Sequence, residues 1–261
     1  MKTIIFGQNG AGKTALMTYF GNEAIYNRER NRAMRCAVKD MNANGFNLTV
    51  PDYAVCTSYS CTFRMRGYRP RNPIIINPTR LGFQKGSAIK MHFMLPCGTY
   101  LVDEGQMYWS SRIQKLPNNV TSMFEESRHW DIYIYIATPA AILIHKDIRR
   151  ISAGIEVLHH EVRYTRNGCK TIWLVNMIEA GNIDKYLDAN ARERHKYCKR
   201  TKIVANYDVH RLYNAKGCKY KFIEGHLNED FDLTYNIDNP RTKEEYEQYI
   251  QELSNIENEK I

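Results

Sequence analysis

A short apolar, β-branched run, Thr3-Ile4-Ile5-Phe6, leads directly into Gly7-Gln8-Asn9-Gly10-Ala11-Gly12-Lys13-Thr14. Such a run suits a strand buried on both faces. The glycines let the following backbone curl so that successive N–H groups point inward, and the spacing G-x-x-x-x-G-K-S/T is that of a phosphate cradle. Leu16, Met17, Phe20, Ala24 and Ile25 then recur at helical spacing and predict a helix over residues 15–30. Its N-terminus offers partial positive charge to the same anion. Strand, loop and helix in this order predict a nucleotide site built from Gly7 to Ala15 that takes ATP and Mg²⁺. Lys13 would reach the β- and γ-phosphates, and the Thr14 hydroxyl would bind the metal.

The remaining pattern is read against that unit. Residues 98–104 and 130–137 form two more buried-strand runs, separated by helical patterns over 108–114 and 120–129. Short strands alternating with helices indicate an α/β fold, a mainly parallel sheet sandwiched by helices. The first of these runs ends in Asp103-Glu104, at the carboxyl edge of the sheet where ligands bind in doubly wound folds. Asp103 would hold Mg²⁺ together with Thr14, and Glu104 would act as general base on the attacking water. Asn167-Gly168 between two alternating segments predicts an antiparallel hairpin that extends the sheet. Residues 191–202 read as a basic helix, and Tyr246, Ile250 and Leu253 give the end of the chain a helical period. Prolines at 51, 70, 73 and 78 break residues 42–85 into short β-like pieces, an irregular insertion. The predicted organisation is an ATPase domain over 1–237 and an acidic helical tail over 238–261.

Charge is uneven along the chain. The formal net charge is +9, but residues 1–223 hold 34 bases against 17 acids, while residues 224–261 hold eleven acids and three bases. A body this basic points to a polyanionic partner, with nucleic acid first and an anionic membrane surface second. Arginine and aromatic residues interleave from Phe63 to Arg71, which lets bases stack while Arg64, Arg66, Arg69 and Arg71 meet phosphates. Residues 192–200 form a second basic stretch. The seven scattered cysteines carry no zinc spacing and fit free thiols in a reducing compartment. The longest apolar stretch, residues 132–144, is too short to cross a bilayer as a helix, and the N-terminus does not read as a signal peptide. These features place the protein in the cytoplasm.

Several motifs in fixed order resemble a family. The N-terminal cradle is joined by Asp103-Glu104-Gly105-Gln106 with Ser110-Ser111-Arg112, then by Arg128-His129-Trp130-Asp131-Ile132, Pro139 and Ile148-Arg149. Tyr207-Asp208 with Leu212-Tyr213-Asn214 follows. Over about residues 1–215 this set resembles the zonula occludens toxin-like (Zot) family, P-loop ATPases of filamentous-phage assembly. The resemblance implies a homo-oligomeric ring that acts on phage DNA, single-stranded in that family, with a membrane or capsid assembly partner. It also implies a polar residue at the end of the strand before Pro139, where related motors carry Gln and this chain carries Thr138. A shorter hydroxyl in that place implies slower hydrolysis. Ring ATPases place a cation at the γ-phosphate, often from a neighbouring subunit. Among Arg112, Arg128, Arg149 and Arg150, the resemblance favours Arg128 and Arg149 for that role.

Members of that family usually carry a membrane-spanning helix after the ATPase domain, and no such stretch is seen here, so any inner-membrane association would come through a partner. Two other functions share the motifs. One is a small-molecule kinase, with Arg149-Arg150 on a lid, and the other is a nucleotide-switched structural component of assembly.

Overall fold

The computed structural model describes residues 1–212 except 45–49, 60, 66–67, 77, 79–80, 83–91, 94 and 166–167. The expected tail helix, Tyr213-Asn214, Arg66 and Asn167 lie outside the described residues. The chain runs β1 (Lys2–Phe6), α1 (Lys13–Ile25), α2 (Arg28–Ala43), β2 (Val55–Thr57), β3 (Ile74–Ile75), β4 (Leu81–Gly82), β5 (His92–Phe93) and β6 (Thr99–Val102). It continues through α3 (Asn118–Glu126), β7 (Tyr133–Thr138), α4 (Lys146–Arg150), β8 (Ala153–Thr165), β9 (Gly168–Ile178), α5 (Ile183–Asp188) and β10 (Cys198–Ala205). One sheet takes eight strands in the order β10-β9-β8-β1-β7-β6-β2-β3, and β4 pairs with β5 apart from it. From β8 to β3 every neighbour is parallel; β9 runs antiparallel to both β8 and β10. The fold is α/β, a mainly parallel sheet sandwiched by helices, with the antiparallel extension that Asn167-Gly168 predicts.

Alternation along the central strands divides the core. Ile4 and Phe6 join Tyr100, Val102, Ile134 and Ile136 in one cluster, with Met34 and Val38 of α2 and side chains of α3, α4 and α5. Ile5 turns the other way, into a cluster with Leu16 and Met17 of α1, Leu101, Ala137, Ile155 and Trp173. Ile4, Ile5 and Ile136 are fully buried, and each side chain contributes about 1.5–3 kcal/mol of transfer free energy. Strands buried on both faces are the reason these segments read as continuous apolar runs.

Three expected helices come out differently. The helix expected over 15–30 stops at Ile25, and Asn27 starts α2 by accepting the Arg30 N–H on its side chain at 3.0 Å. An Asn side chain takes up a free donor at a helix start, which favours a new helix over a continued one. Residues 108–114 form no helix: a 3₁₀ turn at Gly105–Met107 is followed by turns, with Trp109 fully packed against Phe124. Residues 191–202 form a single 3₁₀ turn, Arg194–Lys196, and then β10. Eight residue pairs with β9 override the helical propensity of that stretch. Among the described residues, no helix is long and apolar enough to cross a membrane.

Candidate nucleotide site

Register brings three strand ends together. Phe6 pairs with Thr138, and Val102 with Ile136, so the loops after β1, β6 and β7 leave the same edge of the sheet. The first loop closes on Gly7, whose N–H donates to the Pro139 carbonyl at 3.3 Å. Gly10 (φ 81°) and Gly12 (φ 88°) both take left-handed backbone, which a side chain disfavours. Gly12 also caps α1 without any side chain, and no acid stands in the helix's first turn. The N-terminal amides are therefore left for an anion. Gln8, Asn9 and Gly10 are exposed at the mouth, Ala11 is half-buried, and Ala15 is buried at the start of α1.

Lys13 folds over this loop. Its Nζ donates to the carbonyls of Gly7 at 2.9 Å and Gln8 at 3.0 Å. Burial lowers its pKa, against the opposing pull of Glu104 and Asp103. Thr14 Oγ1 donates to Asp103 Oδ2 at 3.0 Å across 89 residues of chain. The Asp103 pKa is raised, first by burial, with the Thr14 hydrogen bond acting the other way. A buried carboxylate beside a hydroxyl, both hard oxygen donors, fits a Mg²⁺ ion, whose charge would offset the cost of burial. Thr14 and Asp103 are the residues that would hold it.

The acid pair sits in a shaped turn. The Asp103 N–H donates to Ser58 Oγ at 2.8 Å, and Asp103 Oδ1 accepts the Glu104 N–H at 3.1 Å. Glu104 takes left-handed backbone (φ 51°) and is exposed. The Gln106 amide donates to the Glu104 carboxylate. A Cβ added at Gly105 would lie 2.1 Å from Ile136 Cγ2, so only glycine lets this turn lie against β7. Thr138 is buried at the end of β7, and its hydroxyl donates to the Ala140 carbonyl at 3.2 Å.

The arginines fall elsewhere. Arg128 is exposed and faces Lys2, whose pKa it helps to lower, at the amino end of β1, the opposite end from the phosphate loop. Arg149 is largely buried, with Nε 2.6 Å from Asp184 and Nη1 on the carbonyls of Ile142 and Ile144. It ties α4 to α5. Arg128 thus stands at the end of β1 away from the loop after it, and Arg149 is engaged with Asp184 and the loop carbonyls before α4. Arg112 and His129 are exposed, and Arg150 makes an exposed pair with Asp147 at 3.8 Å.

The first basic–aromatic stretch is also partly structural. Phe63 is fully buried and pairs with Arg71, whose guanidinium lies 4.4 Å from both the Tyr26 and Tyr53 rings. Arg71 is thus committed to the fold, whereas Arg64 and Arg69 are exposed. In the second stretch Arg192, Arg194, Lys196, Lys199, Arg200 and Lys202 are all exposed, on a 3₁₀ turn and an edge strand rather than a helix. Ser58, His160 and Trp173, which support the loops, carry no sequence signal. Ser58 lies in the proline-broken region, and the other two are ordinary strand residues until the hairpin is folded.

No family model matches the chain, and no curated protein matches it in sequence. Among solved structures the chain is similar to the genome packaging NTPase B204 of Sulfolobus turreted icosahedral virus 2, in complex with ATP-gammaS. That match has 10% identity, 63% of this chain and 75% of that chain covered, and a TM-score of 0.33. It is also similar to the N-terminal domain of zonular occludens toxin from Neisseria meningitidis, at 18% identity and a TM-score of 0.42, with 82% of this chain and 98% of that chain covered.

Proposed function

We propose that the protein is a Mg²⁺-dependent P-loop ATPase of phage assembly that couples hydrolysis to movement of DNA. The observation that carries the enzymatic part is the Thr14–Asp103 hydrogen bond beneath a loop that already holds Lys13. In this reading the loop amides and Lys13 bind the β- and γ-phosphates. Thr14 and Asp103 would hold Mg²⁺, which would supply charge neutralisation at the phosphates. Glu104, exposed at the strand end, takes the proton of the attacking water, and the Gln106 amide orients its carboxylate. Thr138 retains acceptor capacity on its hydroxyl for a water or for orienting its turn.

With Arg128 beside Lys2 at the amino end of β1 and Arg149 paired with Asp184, the cation at the γ-phosphate in this reading comes from a neighbouring copy in a homo-oligomeric ring. Exposed Arg128 is the better placed of the two to serve in trans. DNA is the partner that the basic body supports, through exposed Arg64 and Arg69 and the basic residues of 192–202. The test is phosphate release from ATP with Lys13→Ala beside the wild type. The variant should bind ATP weakly and turn nothing over; unchanged ATP affinity would remove this reading.

A further inference from the structure

The hairpin of β8 and β9 lies outside the nucleotide-site motifs read from the sequence, yet it presses on the phosphate loop. Pairing of β8 with β1 ends at Glu156, and the rest of β8 runs on beside the loop, paired with β9. A Cβ added at Gly7 would lie 2.4 Å from the Val157 carbonyl oxygen, and one at Gly12 would lie 2.6 Å from the His160 ring. Trp173, fully buried, donates its indole N–H to the Gly12 carbonyl at 3.2 Å. The His160 ring packs against Gly12, and the Ala11 backbone favours its protonated form.

The Gly12 carbonyl also accepts the Leu16 N–H of α1 at 2.9 Å, so the helix and the Trp173 indole together set the direction of the Gly12–Lys13 peptide plane. In a trans peptide the C=O and the following N–H point opposite ways. Holding the Gly12 carbonyl away from the loop's mouth therefore turns the Lys13 amide inward, toward a bound anion, while the His160 ring packs against the other side of Gly12. We infer that His160 and Trp173 are positioning residues for the nucleotide site, bracing the phosphate loop in its anion-binding form. The inference rests on the ATP-binding reading above.

His160 also brings a titratable charge to the loop. Facing it are His210, with ring centroids 5.2 Å apart, from the 3₁₀ turn Val209–Leu212, and His159 on its own strand; β9 contributes uncharged Trp173. Burial first, and then these two imidazoles, lower its pKa from the ordinary value of 6.5. Bound phosphates favour the protonated ring, so by linkage nucleotide affinity rises as pH falls through the His160 titration.

The test is equilibrium binding of Mg-ATP to the full chain between pH 5.5 and pH 8, with wild type, Trp173→Phe, His160→Gln, His210→Gln and Lys13→Ala in parallel. Trp173→Phe keeps a ring but loses the donor, and should weaken binding about two- to tenfold at every pH. His160→Gln keeps an amide donor. It should bind within about twofold of wild type at pH 8 and lack the gain of about three- to tenfold on the acid side, the size expected for one charge near a polyphosphate in a partly screened site. His210→Gln removes a repelling neighbour and should move that gain to higher pH. Wild-type affinity in Trp173→Phe, or a wild-type pH profile in His160→Gln, would overturn the inference while ATP binding stands. Equal binding by wild type and Lys13→Ala would instead overturn the ATP reading, and the inference with it.

Discussion

Glu104 and Asp103 are adjacent, but the structure gives them different surroundings, and the differences set what each substitution should do. Glu104 is exposed and held by the Gln106 amide, with no part in the core. Glu104→Gln should therefore fold and bind ATP normally and lose hydrolysis by about 10²- to 10⁴-fold, the range for removing a general base. Survival of turnover in that variant, with Asp103→Asn inactive, would move the key role to Asp103. Asp103 is largely buried, and burial raises its pKa above the ordinary 3.8, outweighing the Thr14 hydrogen bond and the smaller pull of Lys13. The sign follows from linkage: the folded state prefers the protonated acid. Asp103 thus contributes favourably to stability below the ordinary carboxylate pKa, and that contribution disappears as pH rises through the raised value. Asp103→Asn, which keeps an acceptor for Thr14, should raise the Tm of the nucleotide-free protein near pH 7, with the gap to wild type closing in acid. Thermal unfolding at both pH values measures this; an unchanged or lower Tm at pH 7 would contradict it.

At the scale of elements, what could be read from the sequence follows from where each signal is encoded. The loop after β1 is encoded locally: consecutive residues contain its glycines, its lysine and its helix start, and the structure has strand, loop and helix in the order expected. The strands ending at Val102 and Thr138 were also legible, because burial on both faces writes an apolar run. The break at Asn27 was missed because Leu16 to Ile25 and the start of α2 share one helical period; only the cap separates them. Asn27→Ala should cost about 1 kcal/mol of stability, as for other N-caps, measured by denaturant unfolding. The strand at 198–205 was misread because its pairing partner lies about 27 residues away and the basic residues carry no strand signal. Arg71 and Arg149 show the same limit for sites. Their charge suggested anion contacts, and their aromatic and carboxylate neighbours are tertiary facts.

For the whole molecule, the basic body and the phosphate site belong to one account only if DNA and hydrolysis communicate. Binding to single-stranded DNA should weaken steeply with salt, each phosphate contact adding about 0.7 to the slope of log affinity against log salt. Removing exposed Arg64 and Arg69 with Lys199 and Lys202 should flatten that slope by about two to four contacts' worth, without moving ATP affinity. A slope untouched by those four changes would place the DNA surface elsewhere. The most direct test of the account is steady-state phosphate release from Mg-ATP with and without single-stranded DNA at low salt, in wild type and Glu104→Gln. The expected result is slow Mg²⁺-dependent turnover that DNA accelerates and that Glu104→Gln abolishes in both conditions. Turnover that is indifferent to DNA, or that survives in Glu104→Gln, would contradict it.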